Sequence, residues 1–137
     1  VTHTQYSIHL NKKIQFELNG FTECYTTQYL AILSMLNNVL SNAVEAIDEH
    51  GNITIHVKEV DDELHFIIEN NGPAIQPHNL NILFDAGFTT KFDLKGNAST
   101  GIGLYHVQSI VKSLGGTIHV TSDETTKFHL TVNKQLL

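Results

Sequence analysis

Thr100-Gly101-Ile102-Gly103-Leu104 sets two glycines at the head of an apolar-periodic stretch. Glycines that open a helix let a polyphosphate approach bare backbone N–H groups at the positive end of the helix dipole. Far upstream, Asn38 and Asn42 stand four residues apart, with Glu45 three further on. On a helix these three share one stripe and can address one ligand, and an amide oxygen there could hold the metal of a bound phosphate. A plain solvated face would also account for the stripe, although Asn is a mediocre helix former and two in mid-helix bring no local benefit. A lone Gly-x-Gly carries little weight by itself. No third glycine follows at the dinucleotide-fold spacing and no Gly-Lys-Ser/Thr occurs anywhere, so Rossmann and P-loop readings both fail.

The elements that must position these residues follow from periodicity. Ile14-Gln15-Phe16-Glu17-Leu18 alternates and reads as a strand closed by Asn19-Gly20. Thr26 or Thr27 is placed to cap a helix on which Leu33, Leu36, Leu40, Ala43 and Ile47 recur at spacings of three and four, ending before Gly51. The asparagine stripe is expected to turn away from that leucine face. Ile53-Thr54-Ile55-His56-Val57 and Leu64-His65-Phe66-Ile67-Ile68 read as a hairpin joined by Asp61-Asp62-Glu63. A short helix over 77–83 and a glycine-punctuated loop to about Thr100 come next. Residues 103–114 read as a helix with Leu104, Val107, Ile110, Val111 and Leu114 on one side, stopped by Gly115-Gly116. Residues 117–121 and 128–132 close the chain as a second hairpin. This succession predicts an α+β two-layer sandwich: a mixed, mostly antiparallel sheet covered on one face by about three helices.

At 137 residues the chain has the length of one domain with one core, and no linker composition divides it. Fourteen acidic against eight basic side chains give a net charge of −6, which argues against nucleic acid as a partner. The single cysteine, Cys24, forms no internal bridge and suggests no oxidising compartment. No apolar run is long enough to span a membrane and no signal-peptide pattern opens the chain. A start at Val1 suggests a piece of a longer protein. Nine histidines show no compact metal-ligand spacing.

Three segments, taken in order, resemble the Bergerat-fold (GHKL) ATPases shared by histidine kinases, DNA gyrase, Hsp90 and MutL. Leu36-Asn37-Asn38-Val39-Leu40-Ser41-Asn42-Ala43-Val44-Glu45-Ala46 is similar to the family's asparagine box. By that match Asn42 is the magnesium ligand, and magnesium, which keeps waters and substrate phosphates, needs little more from the protein. Phe84-Asp85-Ala86-Gly87-Phe88-Thr89-Thr90-Lys91 resembles the box that begins a mobile lid over the nucleotide. The match makes Gly87, Phe88, Thr89 and Thr90 nucleotide-binding and Lys91 a catalytic candidate for the terminal phosphate. Polar residues 92–100, with Gly96, suit a hinged lid. Gly101, Ile102, Gly103 and Leu104 then match the second glycine box, with Ser99 in place of its first glycine. Thr126, after Gly115-Gly116-Thr117-Ile118, matches the threonine that helps to position adenine, without the glycines usually found just before it.

Ile68-Glu69-Asn70-Asn71-Gly72-Pro73-Ala74-Ile75 matches the first glycine box but departs twice. Asn70 stands where the family usually has the Asp that accepts from the exocyclic amine of adenine, a role its carbonyl oxygen can still fill. Ala74 replaces a second glycine, so its methyl could crowd the base. Gly72, Ala74 and Ile75 complete the implied adenine pocket. Read without the other motifs, this segment is a turn, Phe84 to Lys91 is a surface turn with two buried aromatics, and Gly115-Gly116 is a helix stop before an edge hairpin.

Within the family the resemblance is to the ATP-binding catalytic domain of bacterial sensor histidine kinases. In the gyrase, Hsp90 and MutL branch the position of Asn38 carries a glutamate that activates water; an amide cannot take that proton. Asn38 is therefore a catalytic candidate for phosphoryl transfer over hydrolysis. Glu45-Ala46 after the asparagine box resembles the citrate, dicarboxylate and glutamine sensor kinases. The resemblance implies ATP and Mg²⁺ as cofactors, residues 1–137 as one catalytic domain, and transfer of the γ-phosphate to a histidine on the kinase's own dimerisation domain. It also implies a homodimeric full protein, a response regulator reached through it, and a cytoplasmic domain without membrane contact, whose whole kinase is compatible with a membrane anchor. A degenerate docking module, motivated by Asn70, Ala74 and Ser99, and a hydrolytic gyrase- or Hsp90-type ATPase are the competing readings.

Overall fold

The computed structural model describes residues 13–20, 25–80, 83–84 and 103–137. Strand β1 (Lys13–Asn19) is followed by helix α1 (Tyr29–Ala46), then strands β2 (His50–Val60) and β3 (Glu63–Asn70). A single helical turn, α2 (Pro77–Leu80), precedes helix α3 (Gly103–Ser113), strands β4 (Ile118–Ser122) and β5 (Thr126–Asn133), and a 3₁₀ turn (Lys134–Leu136). The five strands form one sheet in the order β1-β2-β3-β5-β4. Only β1 runs parallel to its neighbour, so the sheet is mixed and mostly antiparallel, as the sequence predicts.

Period-two alternation puts one face of this sheet inside. On β3, Leu64, Phe66, Ile68 and Asn70 are buried while the residues between them are not. Their register partners on β5, Val132, Leu130, Phe128 and Thr126, are buried too. Helices α1 and α3 pack on each other and on this face, burying Met35, Val39, Ala43, Val44 and Ile47 from α1 and Val107, Ile110, Val111 and Leu114 from α3. Each large apolar side chain so buried stabilises the fold by about 1.5–3 kcal/mol.

Helix α3 ends in a Schellman motif. Gly115 takes a left-handed φ of 68°, its N–H donates to Lys112 O at 3.1 Å, and Gly116 N–H donates to Val111 O at 2.9 Å. The turn between β2 and β3 places Asp61 at φ 54°, a conformation that Asp tolerates better than most side chains.

Several local expectations are corrected. Leu33 is exposed, while Leu40, Ala43 and Ile47 of the expected stripe are buried and Leu36 packs on the core, joined by Met35, Val39 and Val44; helix α1 also carries exposed apolar residues at Tyr29 and Leu30, so spacing alone does not fix its orientation. Asn38 and Asn42 are half-buried at the margin of this stripe rather than opposite it. Neither Thr26 nor Thr27 caps α1. The N-cap is Gln28, without a side-chain cap, and the Thr26 hydroxyl accepts from Gln28 N–H at 2.8 Å, a turn ahead of the helix. Helix α2 is described over Pro77–Leu80, residues 81–82 of the expected helix lie outside the described residues, and Leu83 and Phe84 form a turn.

The other sheet face is polar. His65 Nδ1 and His129 Nε2 lie 2.8 Å apart across β3 and β5, and His65 Nε2 is 3.4 Å from Glu63 Oε1. Burial, first, and the neighbouring His65, Lys58 and His119 hold the His129 pKa below its ordinary value, against an opposing pull from Glu63. No described helix is long and apolar enough to cross a membrane, and no group of three or more acidic, His or Cys side chains among the described residues could cage a metal.

Candidate nucleotide site

At one end of the inner sheet face a transverse row crosses four strands: Ile53 on β2, Asn70 on β3, Thr126 on β5 and Ser122 on β4 are successive register partners. Opposed residues of antiparallel strands share a face. The row begins apolar and ends in hydroxyls. Asn70 and Thr126 are only 1% and 3% exposed, so every polar atom they carry must find a partner or bear the cost of desolvation.

Asn70 meets half of that demand. Its Oδ1 accepts from Gly72 N–H at 3.0 Å, an Asx turn that bends the chain out of β3. Its Nδ2 is buried with no hydrogen-bond partner among the described residues. Gly72 is needed at this bend because the chain presses on the last turn of α1. A Cβ there would lie 2.7 Å from Ala46 O and 3.0 Å from Asn70 Oδ1. Asn71 secures the other side, its Oδ1 accepting from Asn52 N–H at 2.8 Å and its N–H donating to Asn52 O at 3.3 Å.

The segment beyond Gly72 is held by a residue that sequence reasoning missed. Ile75 N–H donates to Ser122 Oγ at 2.8 Å, and Ser122 Oγ lies 2.6 Å from Thr126 Oγ1. Ser122 thus couples the segment after β3 to the β4–β5 hairpin. Nothing in its local sequence marks it, since a serine ending a short strand looks like any surface serine. Nearby, the Thr125 hydroxyl donates to Glu69 Oε2 at 2.6 Å.

Of the residues singled out above, Asn70, Gly72, Ile75 and Thr126 are brought together through the Asn70–Gly72 turn, the Asn70–Thr126 register pair and Ser122, with Ala74 exposed on the same segment. Asn42 lies one helical turn before Ala46, half-buried, and makes no side-chain hydrogen bond to any described residue. Asn38 turns its amide nitrogen back to Ser34 O at 2.8 Å and Ser34 Oγ at 3.4 Å. Gly103 opens α3 and Leu104 is half-buried against the core. Gly87, Phe88, Thr89, Thr90, Lys91, Gly101, Ile102 and the whole lid segment lie outside the described residues.

The donor set fits the groups that the sequence resemblance implies. The orphaned Nδ2 of Asn70, in a buried row that ends in hydroxyls, suits the hydrogen-bonding edge of a base. The amide oxygen of Asn42, without a hydrogen bond to any described residue, suits a hard cation that takes its other ligands from water and phosphate.

Comparison with known proteins bears on the same region. Residues 27–136 match the model of the family described as histidine kinase-, DNA gyrase B- and HSP90-like ATPase. The sensor histidine kinase GlnK of Bacillus subtilis (strain 168) is 39% identical over 115 residues, covering 83% of this chain. The sensor histidine kinase ZraS of Salmonella typhi is 37% identical over 94 residues, covering 68% of this chain. The chain spans only 28% of the length of GlnK and 19% of ZraS, and these relatives are of mixed sensor types. A solved structure of the mycobacterial sensor histidine kinase MprB superposes with a TM-score of 0.75 over 96% of this chain and 89% of that one, at 19% identity. That likeness concerns the fold.

Proposed function

The chain belongs to the histidine kinase-, DNA gyrase B- and HSP90-like ATPase family, and on that premise we propose that it binds ATP with magnesium and transfers the γ-phosphate to a histidine on its own kinase's dimerisation domain. The observation that carries this reading is the row Asn70–Thr126–Ser122, whose buried Asn70 amide nitrogen has no hydrogen-bond partner among the described residues, beside a turn in which Gly72 presses on Ala46, one helical turn after Asn42.

In this reading Asn70, Gly72, Ala74, Ile75 and Thr126 form the adenine pocket. Asn42 would hold Mg²⁺, which when bound neutralises charge on the phosphates. Lys91 and the backbone of Gly101, Ile102 and Gly103 would bind the phosphates, while residues 87–90 and Leu104 would flank the nucleotide. Asn38 cannot act as a base toward water, and its nitrogen is already engaged by Ser34, so transfer to an external acceptor is favoured over hydrolysis. Residues 1–137 then work as one catalytic domain, in the cytoplasm, within a homodimeric kinase that serves a response regulator.

Titrating the chain with ATP in magnesium and in chelator, followed by incubation with labelled ATP, tests the proposal. Binding is expected, and at 100 times the Kd it adds roughly 2.7 kcal/mol of apparent stability. Hydrolysis and self-labelling are expected to be negligible without the acceptor domain. Failure to bind ATP in either condition would favour a docking module; rapid phosphate release would favour a hydrolytic ATPase.

A further inference from the structure

We infer that Asn70 makes this site accept 6-oxopurine nucleotides alongside adenine nucleotides, an inference that rests on the nucleotide reading above. Gly72 contributes a backbone N–H, which can only donate, at 3.0 Å from Asn70 Oδ1. Exchanging the oxygen and nitrogen of that side chain would set an NH₂ group against an N–H. The backbone therefore fixes which end of the amide is which, and Nδ2 is the end left buried without a hydrogen-bond partner among the described residues.

No neighbour in the row supplies the missing acceptor. Ile53 is apolar, the Gly72 N–H can only donate, and the Thr126 hydroxyl engages Ser122 and makes no hydrogen bond to Nδ2. A side chain 1% exposed that retains a donor without a partner is rare in native proteins and calls for one, such as a bound water, an ion or a ligand. The ligand edge that meets Nδ2 must present an acceptor, either O6 of a 6-oxopurine or N1 of adenine.

The second lone pair of Asn70 Oδ1 completes a two-point match in both cases. Against a 6-oxopurine, Nδ2 donates to O6 while Oδ1 accepts from N1–H. Against adenine, Nδ2 donates to N1 while Oδ1 accepts from the 6-amino group. A carboxylate at the same place offers acceptors only, so it serves the amino group and opposes O6. The breadth of base recognition is thus set by the residue type at position 70.

Inosine diphosphate is the informative probe, since it carries O6 and N1–H without the 2-amino group of guanine. ADP and IDP are titrated calorimetrically into the wild type and Asn70→Asp in chelator, so that neither metal nor phosphoryl transfer contributes. The wild type should bind ADP and IDP with Kd values within about fivefold of each other. Asn70→Asp should weaken IDP relative to ADP by about tenfold or more. As a measurement needing no variant, the Asn70 side-chain ¹⁵N–H₂ resonances should move on saturation with either nucleotide. ADP binding with IDP weaker by more than about fiftyfold overturns this inference and leaves the nucleotide reading standing, as does an unmoved Asn70 signal in the IDP complex. Absence of binding by both nucleotides overturns the two together.

Discussion

Ser122 and Thr126, partners across the β4–β5 hairpin, bring their hydroxyl oxygens within 2.6 Å of each other. Through the same Ser122 oxygen the hairpin also accepts the backbone N–H of Ile75. Ser122→Ala removes both links while the strand pairing remains. The expected loss of stability is about 1 kcal/mol, with faster hydrogen exchange at the Ile75 amide and nucleotide affinity reduced by several-fold, on the order of 1 kcal/mol. An Ile75 amide as protected in the variant as in the wild type would show that Ser122 does not hold this segment.

Gly72→Ala tests the close approach of the same segment to α1. The added methyl group meets Ala46 O at 2.7 Å, a backbone atom that cannot swing aside, and Asn70 Oδ1 at 3.0 Å. Overpacking of this kind costs roughly 1–3 kcal/mol. Urea unfolding should report that loss, and ATP binding should weaken with it because relief of the clash displaces Asn70. An unchanged unfolding midpoint would contradict the packing described here.

Much of this arrangement is legible in the sequence, for reasons that can be located. Period two over 64–68 and 128–132 locates β3 and β5, because one face of each is buried and the other, apart from Thr131, is not. Gly115-Gly116 identifies the end of α3, because the Schellman motif needs a left-handed residue there. Three features are not legible. Alternation in β1 says nothing about its partner, and its parallel pairing with β2 joins segments separated by all of α1. Helix α1 has enough apolar residues around its circumference that spacing alone admits Leu33 to the buried face, whereas the folded helix buries Met35, Val39 and Val44 and leaves Leu33 exposed. At the site, the residue types at 70 and 126 are visible in the chain, but the commitment of Asn70 Oδ1 to Gly72 and the part played by Ser122 arise only once the turn after β3 is folded against the hairpin.

Asn42→Ala separates the metal from the base. If Asn42 supplies a magnesium ligand, the variant should weaken Mg·ATP by about tenfold, or roughly 1.4 kcal/mol, and leave ATP in chelator nearly unaffected, since the Asn70–Thr126 row is untouched. Asn42 is half-buried on a helix and makes no hydrogen bond to a described residue, so the substitution should change stability little. Calorimetric titrations in the two conditions make the comparison, and equal losses in both would remove Asn42 as the metal ligand.

The polar sheet face gives a pH dependence whose sign can be worked out. His129 faces His65, Lys58, His119 and Glu63; burial and the first three lower its pKa below the ordinary 6.5, and Glu63 opposes them. A histidine with a lowered folded-state pKa binds its proton more weakly in the folded than in the unfolded chain, so between the two pKa values stability rises with pH. The contribution is present above the unfolded value and is lost as pH falls through the lowered folded value. The geometry agrees, because the 2.8 Å contact between His65 Nδ1 and His129 Nε2 needs one of the two nitrogens without a proton. The urea midpoint should therefore fall between about pH 7.5 and about pH 5, and His129→Thr, which keeps a strand-forming residue at the position, should fall less over the same interval. Parallel pH profiles for the two proteins would place the titration elsewhere on the fold.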